Sequence, residues 1–265
     1  MVCPMRGSPD ASSGLEAVSR TLFVSPGAIR CWSVELGVAE EWLEPLAGVL
    51  APDERERAIR FLFPRDRHRF VVARASLRVL LGRHLGARPS AIGFTYGPQG
   101  KPSLAGSTGA SLHFSVSHCE DLALIALRRD GPLGVDLEAV RPMADRDAVA
   151  SRFFTAAETA AIDSVPPAAR DLAFFLCWTR KEAFAKAMGA GLSFALDRCQ
   201  VTCRPDEPPR VVEIDGDRAE GARWFMWDLR PAPGFVGAVA VRASGPSTSL
   251  ARLSLEADVL PFVAR

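Results

Sequence analysis

Apolar and polar positions alternate with period two over Ile29–Leu36, which predicts a strand with one face buried. Glu40–Val49 and Pro52–Phe63 carry helical spacing, with Pro52 suited to a first turn and Asp53 and Glu54 behind it. A long amphipathic helix is expected over Arg67–Gly86, with Phe70, Ala73, Leu77, Leu80 and Leu81 on one side and Gly86 as its stop. Strands follow near Ile92–Tyr96, Ser111–Ser117, Leu122–Arg128 and, after the turn Asp130-Gly131-Pro132, Leu133–Glu138. The pattern then starts again. Helices are predicted near Arg146–Phe153, Ala156–Ile162 and Ala168–Met188, and strands near Arg198–Cys203, Arg210–Ile214, Arg223–Leu229 and Phe235–Val241.

The two long helices superpose at an offset of 103 residues, which sets Arg78 on Lys181, Leu81 on Phe184, Arg83 on Lys186 and Gly86 on Gly189. An α+β chain of two similar halves follows, with the break near Gly131. The expected division is 28–131 and 132–243, flanked by tails at 1–27 and 244–265, with a Pro/Ser/Gly linker at Ala243–Ser249.

The 265 residues are 48% hydrophobic and 24% charged, enough to bury a sizeable core. A net charge of +1 excludes a global electrostatic drive toward nucleic acid or membrane. No apolar run is long enough to span a bilayer, and Met1 to Gly14 lacks a signal-type apolar stretch, so a cytoplasmic protein is expected. None of the six cysteines forms a C-x-x-C pair, and no His or third Cys lies near Cys199 and Cys203 in sequence, so buried thiols are expected rather than zinc. One count changes the picture: of 32 basic residues only Lys101, Lys181 and Lys186 are lysine. In an arginine-rich chain, lysine is expected where a compact ammonium is needed, because the two cations are not interchangeable.

Those lysines fall among the residues that could carry chemistry. In Gly134-Val135-Asp136-Leu137-Glu138, strand periodicity turns Asp136 and Glu138 to one face and Val135 and Leu137 to the core. Two neighbouring carboxylates repel unless a proton or cation intervenes, and hard oxygen donors suit Mg²⁺; a polar edge strand would show the same pattern. In Trp178-Thr179-Arg180-Lys181-Glu182-Ala183-Phe184-Ala185-Lys186, residues Trp178, Glu182 and Lys186 share a helix face. Glu182 could add a third carboxylate and Lys186 hold a phosphate, although a surface Glu–Lys pair has the same spacing. Gly100-Lys101-Pro102 makes a turn able to present an ammonium, and Phe114-Ser115-Val116-Ser117-His118 ends a strand with a hydroxyl and an imidazole. The basic run Arg55, Arg57, Arg60, Arg65, Arg67, His68 and Arg69 is either a solvated helix face or a phosphate-binding patch.

The ordered set G-K-P, F-S-V-S-H, G-V-D-L-E and W-x-x-K-E-A-x-x-K resembles the Sfp-type 4′-phosphopantetheinyl transferases, over about Ile29 to Val241. The W-x-x-K-E-A form resembles the branch that modifies polyketide, nonribosomal-peptide and fatty-acid carrier proteins. The resemblance implies a monomeric α+β pseudodimer with coenzyme A and Mg²⁺ in the cleft between its halves. It implies transfer of 4′-phosphopantetheine from coenzyme A to a carrier-protein serine, with release of adenosine 3′,5′-bisphosphate. By matching position, Asp136, Glu138 and Glu182 hold Mg²⁺, Lys186 neutralises pyrophosphate charge and Lys181 assists from the neighbouring turn. The serine proton also needs a base, for which Glu182, directly or through metal-bound water, is the candidate. Ser117 and His118 lie near the 3′-phosphate with Arg57 and Arg69, and Gly100, Lys101 and Pro102 border the adenine. Two positions depart from the family pattern: Glu54 stands where a lysine is usual, and Phe70 where a phosphate-binding threonine is usual. The competing reading is a catalytically silent module that binds coenzyme A or carrier proteins.

Overall fold

In the computed structural model, β1 (Ala28–Glu35) leads into α1 (Leu43–Gly48), α2 (Pro52–Ile59) and the long α3 (Pro64–Leu85). A small hairpin, β2 (Phe94–Tyr96) and β3 (Pro102–Leu104), precedes a larger one, β4 (His113–Cys119) and β5 (Leu122–Arg128). The second half repeats this order: β6 (Leu133–Ala139), α4 (Arg146–Phe153), α5 (Ala156–Ser164) and the long α6 (Arg170–Met188). A small pair β7 (Cys199–Val201) and β8 (Val211–Ile214), the short α7 (Arg218–Gly221), and the hairpin β9 (Trp224–Leu229) and β10 (Phe235–Arg242) complete it. The structure describes residues 28–106, 112–189, 195–242, 247–253 and 259. Residues 1–27, read as a tail, lie outside them.

The repeat holds at the level of strand order. In each half the opening strand pairs antiparallel with the last strand of the closing hairpin, giving β1-β5-β4 and β6-β10-β9. One addition breaks the symmetry. β11 (Ser247–Leu253) runs parallel to β1 along its outer edge, which corrects the expectation that 244–265 is wholly a tail.

Local chemistry explains the boundaries. Phe63 precedes Pro64 and is extended, at φ −103° and ψ 131°, because a residue before proline is pushed out of the helical region. Thus α2 stops at Ile59, short of the expected Phe63, and α3 starts at Pro64, before the expected Arg67. Both long helices end on a left-handed glycine, Gly86 at φ 64° and Gly189 at φ 74°, the pair that the sequence overlay matches.

A seam of apolar side chains joins the halves. Ile29, Cys31 and Leu124 of the first sheet meet Val135, Leu137 and Val239 of the second. The opposite face of β1 turns Trp32 and Val34 into an apolar core under α3, whereas β6 carries Asp136 and Glu138 there. The carboxylate face therefore exists only once. Gly134 brings α6 against β6: a Cβ there would stand 2.0 Å from the Ala183 carbonyl oxygen and 2.4 Å from the Ala187 nitrogen.

Each half also holds its long helix with a buried ion pair. Glu54 accepts from Arg78 Nε at 2.6 Å and from the Ala51 N–H at 2.9 Å, capping α2. In the second half Glu158 caps α5 through the Thr155 N–H at 2.7 Å and pairs with Lys181. Arg78 and Lys181 are the residues that the overlay superposes.

Candidate functional site

The site is built where β4 of the first half runs beside β6 of the second. Alternate residues of β4 face across: Ser115 Oγ accepts from the Val135 N–H at 3.1 Å, and Cys119 Sγ from the Ala139 N–H at 3.3 Å. Between them Ser117 Oγ donates to Asp136 Oδ1 at 2.9 Å. From α6, Lys186 Nζ reaches the same Asp136 oxygen at 2.6 Å and Ser117 Oγ at 3.1 Å. Three elements thus meet at one carboxylate.

The second Asp136 oxygen, Oδ2, is buried without a hydrogen-bond partner among the described residues. A buried, unsatisfied carboxylate oxygen is costly and calls for a cation or donor. Glu138 and Glu182 are half-buried nearby, and burial, followed by the Asp136 charge, raises the carboxyl pKa of each above its ordinary range. Mutual repulsion in a partly dry cluster favours a proton or a cation between the carboxylates, and the donors are the hard oxygens that Mg²⁺ takes. The donor set fits that ion. With Lys186 held on Asp136, however, the three carboxylates do not draw together within 4.8 Å. The residues that do so among those described are Glu158, Cys177 and Cys203. There the Lys181 ammonium already pairs with Glu158, and burial raises the Cys177 thiol pKa, which keeps that thiol protonated.

Two adjoining cavities open beside this centre. One of 370 Å³ is lined by Gly100, Lys101, Pro102, Glu182 and Lys186 among others. The other, of 450 Å³, runs along α3 past Arg57, Arg69, Phe70, Tyr96 and His118, and shares Gly100, Pro102 and Val116 with the first. Arg57 lies over the Phe70 ring at 5.1 Å, and Arg69 donates to Asp121 at 2.8 Å. His118 has its pKa lowered by desolvation and then by Lys186, Arg69 and Arg57, so its imidazole is neutral at pH 7.

Several sequence expectations change. Ser117 and His118 lie on opposite faces of β4, as adjacent residues of a strand do: Ser117 joins Asp136 and Lys186, while His118 joins the arginines. Lys181 does not assist at the cleft. It is fully buried and its ammonium is spent on Glu158 and the Cys199 carbonyl, the latter at 2.6 Å. Lys101 borders the cavity, but its ammonium crosses to the second half and donates to the Leu133 carbonyl at 3.0 Å and to the Lys186 carbonyl. The departure at Glu54 is explained by its structural pairing with Arg78, and Phe70 supplies an aromatic wall under Arg57 and Arg74. Sequence reasoning missed Ser115, Cys119 and Tyr96; the alternation S-x-S-x-C over Ser115–Cys119 was the available signal for the first two.

A sequence profile described as the 4′-phosphopantetheinyl transferase superfamily matches residues 132–240, and one described as the N-terminal part of 4′-phosphopantetheinyl transferases matches 37–129. The chain is 36% identical over 218 residues to the 4′-phosphopantetheinyl transferase HetI of Nostoc sp., spanning 82% of this chain and 89% of that one. The chain belongs to the 4′-phosphopantetheinyl transferase superfamily. It is also 28% identical over 169 residues to the 4′-phosphopantetheinyl transferase Sfp of Bacillus subtilis, covering 64% of this chain and 73% of its relative. The two profile matches divide the transferase between β5 and β6, the strands that flank the seam. No helix among the described residues is long and apolar enough to cross a membrane.

Proposed function

We propose that this transferase moves 4′-phosphopantetheine from coenzyme A to a serine of a carrier protein, working as a single chain in the cytoplasm. The observation that carries the reading is the buried, unpartnered Asp136 Oδ2 beside Lys186, which lines a cavity that adjoins, through Gly100, Pro102 and Val116, the one lined by Arg57, Arg69 and His118. A dianionic terminal phosphate fits the arginine and imidazole end, and the pyrophosphate reaches toward Lys186.

Asp136, Glu138 and Glu182 would hold Mg²⁺, which supplies a Lewis acid that offsets pyrophosphate charge when bound. Lys186 takes up negative charge on the departing oxygens, and Asp136 fixes its ammonium. The serine hydroxyl attacks the phosphorus that bears the pantetheine. The bond from that phosphorus to the bridging oxygen breaks, and adenosine 3′,5′-bisphosphate leaves. Glu182 takes the serine proton; its raised pKa makes it a stronger base than an exposed carboxylate.

Chromatography of the nucleotide products tests this reading. Incubation with coenzyme A, Mg²⁺ and apo carrier protein is expected to yield adenosine 3′,5′-bisphosphate in step with carrier consumed. Coenzyme A left intact with every carrier offered would contradict it and favour the silent binding module.

A further inference from the structure

Five large hydrophobic side chains are exposed among the described residues, and three of them lie within five positions of one another. They are Ile59 at 69%, Leu62 at 84% and Phe63 at 60% exposure. All three sit on the corner between α2 and α3. The backbone explains why they cannot tuck in: α2 ends at Ile59 and Pro64 holds Phe63 extended, so Ala58 and Phe61 face inward instead. Exposed apolar side chains gathered in one place mark an interaction site.

Two further features define what it would bind. Between Arg55 and Arg67 the corner carries five arginines (55, 57, 60, 65 and 67) against the acids Glu56 and Asp66. Glu56 is tied to Arg60 at 3.7 Å and Asp66 to Arg69 at 3.7 Å, which leaves a basic rim around the apolar tip. The corner is also continuous with the cleft, since Phe61 and Arg57 line the 450 Å³ cavity immediately behind it. A second copy of this chain would bring like charges together. The overall charge of +1 gives no general field for a polyanion.

We propose that this corner is the docking surface for the carrier protein, engaging an acidic helical face with an apolar ridge that meets Ile59, Leu62 and Phe63. The proposal rests on the transferase reading and deepens it. The apolar tip supplies anchoring contact and the arginines steer the approach, as in other interfaces where a few large side chains dominate.

Steady-state transfer kinetics of Leu62→Glu, Phe63→Glu and Arg65→Glu test it, with coenzyme A binding by calorimetry and melting by circular dichroism as controls. These residues contact neither the carboxylate centre nor the cavities, so coenzyme A affinity and melting should match the parent. The KM for carrier protein should rise at least tenfold in Leu62→Glu and Phe63→Glu, and Arg65→Glu should weaken the salt dependence of kcat/KM. If the parent transfers and all three variants keep a carrier KM within twofold, the docking proposal is overturned alone. If the variants instead lose binding to phosphatidylglycerol vesicles at unchanged carrier KM, the corner is a membrane contact and the proposal is again overturned. A parent that leaves every apo carrier unmodified removes the transferase reading and this proposal together.

Discussion

Lys101 of the first half donates to the main-chain carbonyl of Lys186, closing the last turn of the helix that carries the cleft lysine of the second half. The final carbonyls of a helix lack partners within it and favour a cation, so one ammonium both caps α6 and ties it across the seam. Lys101→Met should therefore act on kcat. Loss of a charge-assisted hydrogen bond of about 1.5–3 kcal/mol corresponds to roughly 10- to 150-fold in rate. The KM for coenzyme A should stay within about threefold, and a defect confined to KM would return Lys101 to the nucleotide.

Burial, followed by the Lys186 charge, lowers the Lys101 pKa to about 8. The ammonium is intact below that value and is lost above it, so kcat should decline as pH rises through 8. Lys101→Arg keeps its charge across this range and should lack that alkaline limb. Identical profiles for the two proteins would contradict the assignment.

Lys181 and Glu158 are a buried pair, so removing one partner strands the other. Lys181→Met should cost about 3–5 kcal/mol of stability while leaving the kcat of the folded fraction near that of the parent. Replacing both residues with apolar ones of similar volume should recover much of the loss. A Lys181→Met protein with parental melting and abolished turnover would restore this lysine to the reaction.

Gly134→Ala should disturb stability and activity together. The added methyl meets the backbone of α6 rather than a side chain that could swing away. Overpacking of this kind costs about 1–3 kcal/mol or more, and it displaces Lys186 from Asp136. Calorimetric melting and kcat on the same preparation check this; parental values for both would show that α6 can slide.

His118 is neutral at pH 7 because desolvation and three nearby cations lower its pKa. A bound phosphate dianion favours the protonated ring, so coenzyme A binding near pH 7 should take up a proton. Titration calorimetry in buffers of different ionisation enthalpy would detect that uptake, and His118→Gln should abolish it. Equal heats in all buffers for the parent would move the phosphate away from His118.

Much of this organisation is legible in the sequence because it depends on periodicity. Period two sets Asp136 and Glu138 opposite Val135 and Leu137, and helical spacing with a terminal glycine defines α6 and its match to α3. What stays hidden depends on packing between distant segments. The role of Lys181 turns on Glu158, which the sequence separates from it by 23 positions and which α5 brings alongside. Lys101 binds main-chain carbonyls, which no side-chain pattern encodes. The strand Ser247–Leu253 begins inside the Pro/Ser/Gly stretch Ala243–Ser249 that reads as linker, and it forms because β1 offers an open edge.

Intact-mass spectrometry of an apo carrier protein tests the central claim most directly. The carrier is incubated with coenzyme A and Mg²⁺ in the presence of the parent or the Asp136→Ala enzyme. The account predicts a gain of one phosphopantetheine with the parent, and none with Asp136→Ala or with the parent in EDTA, both proteins melting within a few degrees of each other. Full modification by Asp136→Ala would show that the carboxylate at the meeting of β4, β6 and α6 is not the centre of the reaction.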